Sequence, residues 1–95
     1  MTKLYTIKFY SQKNGSTKLV EHDSIEQYEY NKFQAFKAGR VQLANFAKNF
    51  INNYDGDNDD SRIIEANENY YNLMNGSINY YSEDGTTYFF KVFSK

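Results

Sequence analysis

Residues 62–76 read Arg62-Ile63-Ile64-Glu65-Ala66-Asn67-Glu68-Asn69-Tyr70-Tyr71-Asn72-Leu73-Met74-Asn75-Gly76, and the fold turns on whether they wind or extend. Ile63, Ala66, Tyr70, Leu73 and Met74 recur at helical spacing. Against that, Asn67, Asn69 and Asn72 are poor helix formers, and the adjacent Tyr70 and Tyr71 prefer a strand. Both readings stay open across 62–74. We take 70–74 as a strand and leave 62–68 unassigned. Asn75-Gly76 then reads as a two-residue hairpin turn, since glycine supplies positive φ cheaply. Residues 77–82 form the next strand, Glu83-Asp84-Gly85 a hairpin loop, and 86–93 the last strand.

Upstream, Leu4-Tyr5-Thr6-Ile7-Lys8-Phe9-Tyr10 is a strand by composition, with Tyr5, Ile7 and Phe9 on one face and Thr6 and Lys8 on the other. Lys13-Asn14-Gly15-Ser16 is a turn. Lys18-Leu19-Val20 begins a return strand that fades into an acidic segment. Residues 32–54 form the main helix, because Phe33, Phe36, Leu43, Ala44, Ala47, Phe50, Ile51 and Tyr54 fall on one stripe. Gly39 marks either a close approach to a strand or a kink. The resulting expectation is an α+β domain over 1–95 in ββαβββ order: a small antiparallel sheet with one main amphipathic helix on one face.

The chain has 95 residues, enough for one modest core, and a net charge of −1, which gives no global pull toward nucleic acid or anionic lipid. It has no Cys, and hence no disulfide framework or thiolate chemistry. No signal-peptide pattern opens it and no apolar run approaches the roughly 20 residues of a membrane span, so the expected location is the cytoplasm. Ten Tyr and eight Phe stand out. Neighbouring aromatics in a strand point to opposite faces, so part of this set must face outward, toward a binding surface.

Charge comes in blocks. Lys3, Lys8, Lys13 and Lys18 precede any acid; Glu21, Asp23, Glu26 and Glu29 follow; then come Lys32, Lys37, Arg40 and Lys48. Asp55, Asp57, Asp59, Asp60, Glu65 and Glu68 stand against Arg62 alone. His22 lies between Glu21 and Asp23 but has no nucleophile elbow, P-loop or second histidine to work with, so no catalytic residue is assigned and the chain is read as non-enzymatic. Asp57, Asp59, Ser61 and Glu68 match calcium-loop spacing, but Arg62 occupies the position that needs glycine, so no metal or cofactor is assigned.

The favoured reading is a protein-binding module. Asp55, Asp57, Asp59, Asp60, Glu65 and Glu68 would occupy phosphate sites on a basic partner, with Tyr54, Tyr70 and Tyr71 as anchors. The alternative is a nucleic-acid-binding domain using Lys8, Lys37, Arg40, Lys48 and outward aromatics. Tyr81, Phe89 and Phe93 are candidates for self-association, as a homodimer or a structural oligomer, through the last strand, which is poorly guarded if it lies at a sheet edge. In size, charge blocks and Tyr/Asn bias the chain resembles small accessory proteins of phages and mobile elements, anti-CRISPR proteins among them. That resemblance rests on general character rather than a motif. It implies an inhibitor of a basic host protein, a nuclease or CRISPR effector.

Overall fold

The computed structural model describes residues 1–82 and 84–95. Chain order is β1 (Lys3–Lys13), β2 (Val20–Glu29), α1 (Lys32–Asn53), α2 (Ser61–Met74), β3 (Asn79–Tyr81) and β4 (Thr86–Ser94). The strands make one antiparallel sheet in the order β2-β1-β4-β3. Both helices pack on one face. The fold is α+β as expected, but its order is ββααββ, and the segment that differs is 61–76.

That segment is helical because tertiary burial outweighs local propensity. Ile63, Ala66, Asn69 and Leu73 bury one side of α2. The asparagines are accommodated by bonding back along the helix: Asn67 Nδ2 donates to Ile63 O and Asn69 Nδ2 to Glu65 O, both at 3.0 Å. Asp60 caps the start, accepting from Arg62 N at 2.9 Å. Asn75-Gly76 is the helix terminus, not a hairpin. Ser77 N donates to Asn72 O and Gly76 N to Leu73 O, with Gly76 at φ 112°, the pattern of a left-handed C-cap.

β1 alternates as its sequence implies, with Tyr5, Ile7, Phe9 and Ser11 buried under the helices. The acidic segment does not fade; it forms the long edge strand β2, whose acids lie on or beside open water. Charged edges of this kind resist pairing with other chains. Opposite Phe9 and Tyr10 the β1–β2 register shifts by one residue, leaving His22 as the extra residue of a bulge. β3 is shorter than the 77–82 expected. Of the last hairpin loop, Glu83 lies outside the described residues, and Gly85 takes φ 86°.

Asn31 caps α1, accepting from Gln34 N at 2.9 Å. The helix buries Ala35, Gly39, Leu43, Ala44 and Ala47. This stripe is rotated from the expected one: Phe33 is 69% exposed and Phe50 36%, so neither belongs to the core. Small residues win the buried face because the helix lies close to β4. A Cβ at Gly39 would meet the Phe90 ring at 2.5–2.9 Å, which selects close approach over a kink. The core joins Tyr5, Ile7, Phe9, Leu43, Leu73, Phe90 and Val92, with Phe36, Tyr70 and Tyr80 packed against it.

Candidate functional site

The expected partner-binding residues separate into three groups. The first is the corner between α1 and α2. Tyr54 stacks on Phe50, with ring centroids 5.6 Å apart, and its hydroxyl donates to Asp57 O at 2.8 Å. Gly56 lies under the Tyr54 ring, where a Cβ would come within 2.6 Å of the hydroxyl oxygen. These contacts fix the loop. Arg62 grips Asp60 with two bonds, Nη2 to Oδ2 at 2.8 Å and Nε to Oδ1 at 3.2 Å. That side-chain pairing, helped by the Arg62 backbone N–H, holds the Asp60 carboxyl well below the usual carboxylate range. Asp55, Asp57 and Asp59 are exposed and enter no salt bridge among the described residues. The corner encloses an open recess of about 920 Å³, with Phe50 and Tyr54 as its aromatic wall and Asp55, Asp57, Asp59 and Asp60 as its acidic rim.

Glu68 and Tyr71 make up the second group. They share the solvent face of α2 with Ile64 by helical spacing, and Tyr71 is 68% exposed. The third group turns inward. Tyr70 packs against the core, and Glu65 lines a separate cavity, so neither joins the corner.

That cavity, about 410 Å³ between sheet and helices, is what sequence reasoning missed. The β2 bulge brings His22 to it beside Asp23, and Tyr80, Tyr88, Phe9 and Leu43 complete its walls. His22 stays exposed at the rim of this cavity. Its Nε2 shares a hydrogen bond of 2.6 Å with Ser11 Oγ, and its ring lies 5.9 Å from that of Tyr88. The Ser11 residue is buried, so this bond satisfies a polar group inside the fold. Burial and then the Glu65 charge push the Tyr80 hydroxyl above its ordinary value. The bulge leaves His22 without a cross-strand partner and lets its ring reach Ser11, and the sequence carries no glycine or other mark of it.

The third surface is the sheet face that no helix covers. Tyr81, Phe89 and Phe93 share it, as strand alternation requires. Phe89 stacks on Tyr10, centroids 5.7 Å apart, while Tyr81 is 55% and Phe93 44% exposed. Lys8 and Lys91 are direct cross-strand partners on this face. Of the basic set expected to act together, Lys8 is here, while Lys37, Arg40 and Lys48 ride on α1, across the sheet. No helix among the described residues is long and apolar enough to cross a membrane. No protein-family model, curated protein or solved structure matches the chain.

Proposed function

We propose that this chain is a non-enzymatic protein-binding module, a small inhibitor of phage or mobile-element type. It presents its α1–α2 corner to a basic groove of a host nucleic-acid-handling protein, a nuclease or CRISPR effector. The observation that carries this reading is the recess itself: exposed carboxylates ring an aromatic wall on a loop already held in shape. A lysine or arginine of the partner entering there meets the Phe50–Tyr54 rings and the charges of Asp55, Asp57 and Asp59 together. Carboxylates set on a fixed loop can stand where phosphates would lie, since phosphate recognition is largely electrostatic. Glu68 and Tyr71, along the neighbouring helix face, extend the contact.

The test is capture from host lysate with mass spectrometry, followed by binding measurements with the purified partner at rising salt. The expected result is a partner with a basic nucleic-acid groove and affinity that falls steeply with salt. The triple variant Asp55→Lys, Asp57→Lys, Asp59→Lys should lose about a hundredfold or more, since rim charges of this kind govern both association rate and salt dependence. The three side chains are exposed, so the variant should fold, which circular dichroism checks. Unchanged binding by the folded triple variant would rule out the acidic corner as the docking site.

A further inference from the structure

The uncovered sheet face carries a feature the acidic corner does not explain. Lys8 and Lys91 sit directly opposite each other at its centre, and like charges in that arrangement oppose pairing. Each ammonium lies over an aromatic ring, Lys8 Nζ 5.7 Å from the Phe93 centroid and Lys91 Nζ 5.5 Å from the Tyr10 centroid. Glu21 answers Lys8 at 3.5 Å, but Lys91 enters no salt bridge among the described residues. Toward one end the stacked Tyr10–Phe89 pair flanks the cations, and toward the other lies the exposed Phe93.

We infer that this face binds single-stranded nucleic acid, with phosphates at Lys8 and Lys91 and bases stacked on Phe93, Tyr81 and the Tyr10–Phe89 pair. Lys91, which no carboxylate among the described residues answers, asks for an anion, and the rings flanking the two lysines ask for a flat π surface; an unpaired strand supplies both at short intervals. A second copy of the chain fits less well. A two-fold axis through the centre of the face would gather four ammonium groups into a desolvated interface, where lysine is ordinarily depleted. This inference goes beyond the proposed function and uses none of the corner residues.

The probe is fluorescein-labelled oligo-dT and oligo-U, with a DNA duplex for comparison, read by anisotropy at low salt. Intrinsic Tyr emission gives an independent readout of stacking, since the chain has no Trp. Both single strands should bind and quench Tyr emission. The log–log salt slope should be about −1.4, as two lysine–phosphate contacts on a single strand dictate. Phe93→Ala should weaken binding about tenfold, the size of one base–ring stack, and Lys91→Glu by at least as much. Lys37→Glu, on the helical side, should leave binding unchanged. Three outcomes would overturn the inference: no anisotropy change, duplex bound as tightly as single strands, or a dimer in light scattering that covers the face and is broken by Phe93→Ala. Because the corner's triple lysine variant should bind the strands no less tightly, failure of one reading is distinguishable from failure of the other.

Discussion

A single amide side chain closes one edge of the sheet. Asn69, 4% exposed on α2, donates through Nδ2 to Tyr81 O at 2.8 Å and accepts from Tyr81 N at 2.9 Å. It thus bonds both backbone groups of an edge residue as a neighbouring strand would. Asn69→Leu keeps the size but strands both groups and also loses the bond to Glu65 O, and should cost about 2–4 kcal/mol in urea denaturation. A cost below about 0.5 kcal/mol would mean that water replaces the amide freely. Asp60 offers a pH test. Its carboxyl is held below the ordinary range, so folding favours the charged form. That contribution is fully present above the unfolded value, near 4, and is lost as pH falls toward the folded one. Asp60→Asn should therefore flatten the acid limb of the stability–pH curve, followed by urea midpoint. Asp84, held down by the Thr86 backbone N–H, acts with the same sign and should leave a residual slope. At this scale the sequence was only partly legible. Asn69 looked like a reason to reject a helix, and proved to be what ties that helix to the sheet.

At the scale of elements, β1, α1 and β4 could be read from periodicity alone, because alternation and stripe agreed with local propensity. α2 could not. Its Asn residues spoke against a helix and its Tyr pair for a strand, and Asn75-Gly76 serves hairpins and helix ends equally well because both need positive φ at glycine. What decided the matter was burial of Ile63, Ala66 and Leu73 against partners remote in sequence, which no local window contains. The candidate site suffered in the same way. Its acids were visible as a charge block, but the helix turned Tyr70 and Glu65 away from them. The α1–β4 contact supplies a further prediction. In an open helix Gly39→Ala would stabilise by about 1 kcal/mol. Here the added Cβ falls within the Phe90 ring, so the net effect should be a loss of about 1–3 kcal/mol from overpacking. Phe90→Leu added to that variant should recover part of the loss, a coupling that a double-mutant cycle in urea would measure. Stabilisation by Gly39→Ala would show that helix and sheet stand further apart.

At the scale of the molecule the acidic corner between the helices stands apart from the open sheet face, where Lys8 and Lys91 lie among rings and Glu21 and Glu26 of β2 pair with Lys8 and Lys95. A net charge of −1 carries no trace of how these groups are placed, so the arrangement could not be read from composition. The strand order has a consequence of its own. β1 lies between β2 and β4, the second strand made and the last. As the ribosome extrudes the chain, the β1–β2 hairpin and both helices emerge while the other edge of β1 is still unpaired, and Phe90 and Val92, part of the core, are not yet made. Tyr5, Ile7 and Phe9 wait half-covered until β4 clears the exit tunnel and slots in beside them. Folding should then complete in one late step, with Tyr5 and Phe9 open to chaperones or to neighbouring nascent chains until that moment.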